Sequence, residues 1–416
     1  MTSSDFSSLA REILGTSDEQ LSRLDQGSRR GLIELAPVVP PEDPLGDNDH
    51  MGWPVATQVE DTLVVVHRRI PGHNLFGAGD GDENSTFSMI KTTSDGGETW
   101  SESFDLREAM HQEDRDRGGV FPLSHRYKFG PVNGSPQGYK LHLNAVGTSR
   151  ENSVLVLCNY GAFRSTDRGR SWTHLNDQFR ENTMDGDIVY LGPRIVDHPE
   201  MGLCAFGNTV GYGREKRFPN PVDGPSDLFH HNLVVLSSKN DGVTRDKTVN
   251  QLPFSAVQHE PTAVVHEGDV FILGRDERAR TSYQQVRLSD GKPVDVRRMA
   301  NLRHTRGLDT VDIDYNPVTG RFEVVRSFRE RLLVDLWSID PSEWRYEGVL
   351  FSRRLAAEGE DFYKTADGFH PAGAVMDAEK GVQHIFIYTG HPNGSAGSFR
   401  ITRTLETDRL AEFLVE

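Results

Sequence analysis

The stretch Lys91 to Trp100, Lys-Thr-Thr-Ser-Asp-Gly-Gly-Glu-Thr-Trp, has a side-chain order that returns later in the chain. In Thr93-x-Asp95-x-Gly97-x-Thr99-Trp100 each residue has a task in a turn between two strands. Thr93 and Asp95 can hydrogen-bond the turn backbone, Gly97 supplies a left-handed conformation, and Trp100 can bury its indole beneath the loop. The same order recurs as Ser165-x-Asp167-x-Gly169-x-Ser171-Trp172. Weaker echoes follow: Ser238-x-Asn240-x-Gly242-x-Thr244 lacks the tryptophan, Ser289-Asp290-Gly291 keeps the turn core, and Ser338-x-Asp340-x-Ser342-x-Trp344 has serine for glycine. A spacing of roughly seventy residues early and roughly fifty late suits radial β-repeats, each a small sheet.

This pattern resembles the Asp box, or BNR repeat, of the sialidase (neuraminidase) superfamily. The resemblance implies an all-β chain folded as a β-propeller, six-bladed as in the sialidases, with seven blades the alternative. In that family the boxes are structural staples on the outer face, so they speak for architecture and not for activity.

Composition narrows the partners. With 416 residues the chain is long enough for one propeller plus a short extension. Its formal charge of -16 argues against nucleic acid and against an anionic membrane surface. An acidic protein can still hold an anionic sugar where arginines gather locally. Cys158 and Cys204 sit in apolar surroundings and read as buried strand thiols, with a disulfide between neighbouring strands the alternative. No Cys/His spacing indicates a structural zinc, and no cofactor is implied. The first residues carry neither a basic run nor an apolar core, so a cytoplasmic protein is expected if the chain is complete, and a secreted or periplasmic one if a signal peptide was removed.

Residues 1–45 read as an extension. Leu9, Ile13 and Leu14 suggest one short helix, and Ser17-x-x-Gln20 before Leu21 and Leu24 a second. Pro37, Pro40, Pro41 and Pro44 form a stiff connector. The extension is expected to pack against the propeller, with an oligomer contact as its alternative use. The propeller is placed at 46–416.

From Trp53 the text turns β. Thr62-Leu-Val-Val-Val is a continuous apolar run suited to a strand buried on both faces, and it ends in His67-Arg68-Arg69. Sialidases have a similar passage in which Arg-Ile-Pro opens the first blade and a further arginine closes the next strand. The match puts Trp53-Pro54 in the Ile-Pro places and Gly52 in that of the first arginine, a departure from the family. Arg68, Arg69 and His67 are the substrate-binding candidates here. The Gly- and acid-rich loop from Ile70 to Phe87 contains Asp80 and Asp82, which the resemblance makes candidates for the acid/base aspartate. A solvated loop, or a calcium loop on Asp80-x-Asp82-x-Asn84, is the alternative.

His259-Glu260-Pro261-Thr262-Ala263-Val264-Val265 and the returning strand that ends at Arg275 are similar to a sialidase passage. By that match Glu260 is the base toward a tyrosine and Arg275 a carboxylate-binding arginine. Such a fork grips a carboxylate through two parallel hydrogen bonds, and a nearby carboxylate can draw a phenolic proton. Arg331, with Arg329 as its competitor, is matched to another arginine of the cluster. The alternative for these arginines is an ion pair or a stacked surface residue. At the family's tyrosine position the chain has His370, with Tyr363 upstream. Either Tyr363 has moved into the role, His370 acts as a general base, or neither does.

Three functions fit these residues. The first is an exo-acting glycoside hydrolase of the sialidase superfamily acting on an acidic, sialic or uronic acid-like glycan. The second is a polysaccharide lyase, in which arginine neutralises a uronate and His370, Tyr363, His67 or His125 removes the adjacent proton. The third is a non-catalytic glycan-binding propeller.

Overall fold

The computed structural model describes residues 33–39, 50–70, 87–109, 112, 145–158, 161–175, 188–210, 233–244, 246–250, 258–276, 282–289, 292–299, 310–328, 333–340, 343–352, 367–368, 373–390 and 396–405. The architecture is all-β. An N-terminal strand β1 (Ile33–Val39) is followed by antiparallel meanders. The first comprises β2 (His50–Val59), β3 (Thr62–Ile70), β4 (Phe87–Thr93) and β5 (Phe104–Asp105). The second comprises β6 (Ala145–Thr148), β7 (Val154–Cys158), β8 (Gly161–Ser165) and β9 (Thr173–His174). Next come β10 (Ile188–His198), β11 (Gly202–Val210), β12 (Leu233–Ser238) and β13 (Asp246–Asn250), then β14 (Gln258–His266), β15 (Asp269–Asp276), β16 (Ser282–Ser289) and β17 (Lys292–Met299). These are followed by β18 (Val311–Asn316), β19 (Arg321–Phe328), β20 (Leu333–Asp340) and β21 (Glu343–Ser352). After the short β22 (Asp367–Gly368), β23 (Gly373–Asp377), β24 (Val382–Gly390) and β25 (Ala396–Thr404) form the last meander, which shares one sheet with the first through His50 of β2 opposite Ala396 of β25.

That last meander also takes a strand from the other end of the chain. β1 lies antiparallel against β25, with Ile33 opposite Arg403 and Pro37 opposite Phe399. The stretch expected to be a stiff connector is therefore partly a strand. Pro37 is tolerated because the strand pairs on one side and its register shifts between Pro37 and Val39. The two helices expected over residues 6–24 lie outside the described residues.

Apolar clusters join each meander to the next. Val55, Val64 and Val66 meet Val146, Val154, Val156 and Phe163. Leu155 and Leu157 meet Leu191, Ile195 and Leu203. Phe206 and Val235 meet Ala263 and Ile272, and Leu273 meets Ile313 and Val324. Val325 and Leu336 meet Ile385 and Ile401. Finally Val375 and Phe386 meet Met51, Ala56, Leu63 and Val65, returning to the first meander. The Thr62-to-Val66 run is continuous because alternate residues supply different clusters, Leu63 and Val65 one, Val64 and Val66 the other.

The repeated turns share one hydrogen-bond scheme. Asp95 Oδ1 accepts from Thr93 Oγ1 at 2.6 Å and from the Thr99 amide at 3.0 Å, and the Gly97 amide donates to Thr93 Oγ1 at 3.0 Å. In the second copy Asp167 Oδ1 accepts from Ser165 Oγ at 2.8 Å and from the Ser171 amide at 2.9 Å, and Gly169 N donates to Ser165 Oγ at 2.8 Å. In the third, Asn240 takes the carboxylate's place, accepting from Ser238 Oγ and the Thr244 amide at 3.1 and 2.9 Å. Gly169 and Gly242 have φ of +83° and +82°. A Cβ there would also press on the preceding meander, at Thr92 or Leu155. At the remaining two echoes Ser289 pairs with Lys292, and Asp340 with Glu343. Ser338 Oγ donates to Glu347 rather than to Asp340.

Both cysteines are buried free thiols, and burial pushes Cys204 up to about 12. Among the described residues no helix is long and apolar enough to cross a membrane.

Candidate functional site

The meanders' first strands run the same way. β6 and β10 are parallel neighbours, Val146 facing Arg194. Thr148 Oγ1 donates to the Gln58 carbonyl at 2.9 Å, joining the ends of β6 and β2. His198 Nε2 and the Gly268 carbonyl, 2.7 Å apart, join the turns that follow β10 and β14. Gln58 Nε2 donates to Asp377 at 3.1 Å, joining the ends of β2 and β23. The turns after the first strands therefore collect at one end of the molecule. The starts of β2 and β14 and the ends of β3 and β15 lie at the opposite end.

That opposite end carries five of the residues expected from the sequence, Glu260, Arg275, His67, Arg68 and Arg69. Arg275, near the end of β15, pairs with His259, the neighbour of Glu260 on β14, so Glu260 and Arg275 are on adjacent strands at one register. The β14 ladder shifts between His259 and Thr262, which places Glu260-Pro261 in a bulge. Proline's missing N–H is compatible with that position. On the first meander Arg68 pairs with Gly52, the glycine that occupies the expected first arginine's place, again beside a bulge between Gly52 and Val55. Trp53 in this bulge has φ of +50°, is buried, and packs against Tyr388 with ring centroids 5.0 Å apart.

His67 and Arg68 do not converge. Successive side chains on β3 point to opposite faces, and both are buried, at 1% and 0% exposure. Burial, with the charge of Lys91 as the smaller cause, lowers His67 to about 3, so the ring is neutral. Arg69, at the following position, is half-buried. Asp80, Asp82, His125, Arg329, Arg331, Tyr363 and His370 lie outside the described residues.

A charged cluster that the sequence reading missed lies among the first strands. Arg194 of β10 donates from Nε and Nη2 to the two oxygens of Asp312 on β18 at 2.8 and 3.0 Å, and from Nη2 to Asp314 at 3.0 Å. Thr262 of β14 donates its hydroxyl to Asp312. Burial by itself would lower the Arg194 guanidinium, but Asp312 and Asp314 outweigh it and hold the group above the ordinary arginine value. Burial raises Asp314, with Arg194 opposing. The signal was present in Val311-Asp-Ile-Asp-Tyr315, where two carboxylates share one face of an otherwise apolar strand. Among the described residues no group of three or more His, Cys, Asp or Glu is placed to hold a metal.

The sequence matches no family model and no curated protein. Solved structures do match. A protein of unknown function from Dyadobacter fermentans aligns over 90% of this chain and 99% of its own, with a TM-score of 0.55 and 13% identity. The Trypanosoma rangeli sialidase in complex with the inhibitor DANA aligns over 91% of this chain with a TM-score of 0.52 and 11% identity. The Hadza microbial sialidase aligns over 86% with a TM-score of 0.55 and 14% identity.

The fold is sialidase-like. This chain spans 61% of the trypanosomal enzyme's length and 66% of the Hadza enzyme's. At these identities the likeness speaks for architecture alone. Glu260 and Arg275 lie on paired strands at one end of the sheets.

Proposed function

We propose that the chain is a six-bladed propeller carrying an exo-acting glycoside hydrolase site for an acidic, sialic or uronic acid-like glycan. The blade count is supported by the closed series of neighbouring first strands, β2, β6, β10, β14, β18 and β23, returning to β2. The turns at Asp95, Asp167 and Asn240 are read as its Asp boxes. The observation that carries the function is Arg275 paired with His259 beside Glu260, at the end of the sheets where Arg68 also lies.

In this reading Arg275, with Arg331, grips the substrate carboxylate through paired charge-assisted hydrogen bonds. Glu260 takes a proton from Tyr363, or His370 serves as general base, and Asp80 or Asp82 protonates the leaving oxygen. Gly52 leaves the arginine cluster incomplete, which suits a uronic acid or another acidic sugar better than sialic acid.

Hydrolysis of fluorogenic sialosides and uronides tests the proposal. Glu260→Gln should lower turnover about 100-fold or more with the circular dichroism spectrum unchanged. Full activity in both Glu260→Gln and Arg275→Ala ends the assignment. A lyase is the second reading, favoured by His370 at the nucleophile's position. A lyase product carries a new double bond that absorbs in the near ultraviolet, and a hydrolase product does not.

A further inference from the structure

The bulge that carries Glu260 is poorly held by its own sheet. The β14–β15 ladder skips from His259 to Thr262, and Pro261 has no N–H to donate. A peptide in that position needs support from the side, and two separate contacts supply it. Gly192 of β10 lies so close that a Cβ added there would be 1.5 Å from the Pro261 carbonyl oxygen. On the other side of the bulge, the Thr262 hydroxyl is anchored to Asp312 of β18, whose carboxylate is held in a fork by Arg194 of β10. The Ile313 amide also donates to Thr262 Oγ1 at 3.5 Å. Thr262 and Asp312 are buried, at 0% and 1% exposure, so water does not compete for these bonds.

We infer that Gly192, Arg194, Thr262 and Asp312 are positioning residues that hold the Glu260–Pro261 peptide of β14 in place between β10 and β18. The chemical meaning of that position rests on the hydrolase reading. The anchoring is a property of the strands and can be read without turnover. Arg194 is a brace, because its Nε and Nη2 are already engaged by Asp312 and Asp314. A carboxylate placed about an ångström away from its reaction partner can lose on the order of 100-fold in rate, so a brace beneath it is a rate determinant.

The test uses the full chain with Thr262→Val, Thr262→Ser and Gly192→Ala. Amide hydrogen exchange is followed on β14 and β3, and hydrolysis is measured with 4-methylumbelliferyl sialoside and glucuronide. Thr262→Val and Gly192→Ala should speed exchange at residues 262–266 while β3 stays protected. They should lower kcat about 10- to 100-fold with KM within about twofold. Thr262→Ser, which keeps the hydroxyl, should restore both. Wild-type exchange on β14 in Thr262→Val overturns the inference, as does equal loosening of β3 and β14. If wild-type protein turns over neither substrate while Thr262→Val still loosens β14 selectively, the hydrolase reading falls and the brace stands. If wild-type protein is active and Thr262→Val matches it in kcat and exchange, the brace falls and the hydrolase reading stands.

Discussion

Trp172 donates its indole N–H to the carbonyl of Gly169 at 3.0 Å, so the tryptophan of the second turn closes the turn that presents it. The ring is buried among Val55, Val64 and Val66 of the preceding meander and Val154 and Phe163 of its own. Trp172→Ala should cost about 3–5 kcal/mol through the cavity it leaves. Trp172→Phe, which loses chiefly the hydrogen bond, should cost about 1 kcal/mol beyond its smaller contact area. Urea denaturation of both variants checks the order.

Two glycines separate backbone strain from crowding. Gly169 and Gly268 have nearly the same φ, +83° and +86°. A methyl at 169 would lie 2.9 Å from Thr92 Cγ2, while at 268 it would meet nothing within 4 Å. Gly268→Ala should therefore cost about 1–2 kcal/mol, the left-handed penalty alone. Gly169→Ala should cost about 1–3 kcal/mol more. Equal melting temperatures would show that the turn does not press on its neighbour.

Glu323 of β19 forms an ion pair with Arg403 of β25, and both side chains are fully buried. Gln383 Oε1 accepts from Arg403 Nε at 2.8 Å, and Asn316 Nδ2 donates to Glu323 at 2.8 Å. Glu323→Ala should cost about 3–5 kcal/mol by leaving a buried cation short of its partner. The double variant Glu323→Leu/Arg403→Met should recover much of that loss, and chemical denaturation measures both.

Acid should weaken the protein before its carboxylates titrate. Burial lowers His67 from 6.5 to about 3, and burial with Arg400 lowers His384 to about 4. Below pH 6.5 the unfolded chain binds protons at these rings that the folded one refuses, so stability is full above 6.5 and falls as pH drops toward 4. His67→Leu should lose less stability between pH 7 and pH 5 than wild type. Parallel denaturation curves at the two pH values decide it.

The turn carboxylates act lower on the scale with the same sign. Hydrogen bonds from Thr93 and Thr99 hold Asp95 well below 3.8, and those from Ser171 and Ser165 outweigh burial to lower Asp167. Their contribution is present above about pH 4 and is lost on further acidification. Asp167→Asn should behave like Asn240, which keeps the acceptor bonds in the third turn. Its acid transition should be shallower than that of wild type.

Arg275→Lys tests the fork rather than the charge. Lysine keeps the cation but cannot make two parallel bonds, so KM for an acidic glycoside should rise about 10-fold or more with a smaller change in kcat. An unchanged KM would remove Arg275 from substrate binding.

The turns were legible in the sequence because their bonds are local: Thr93, Asp95, Gly97 and Thr99 satisfy one another within a few residues. The same rule admitted false echoes. Ser338 and Asp340 have the spacing, but the chain lacks the glycine and Ser338 bonds Glu347 instead. The Thr62-to-Val66 run correctly indicated a strand covered on both faces. β1 was hidden by its prolines, because nothing local reveals that an edge position on β25 would accept Pro37. Glu260 and Arg275 were singled out by resemblance, and the strands that carry them pair as a hairpin, a short-range relation. Arg194 and Asp312 are 118 positions apart, and their pairing depends on how the meanders are arranged.

The pairing of β1 with β25 joins the two ends of the chain, so this contact can form only after the last strand has been made. Val39 leaves the ribosome long before Ala396 exists, so the N-terminal strand must wait, unpaired, until the rest of the chain has been made. Moving residues 33–39 to follow Thr404 would turn a distant handshake into an ordinary hairpin.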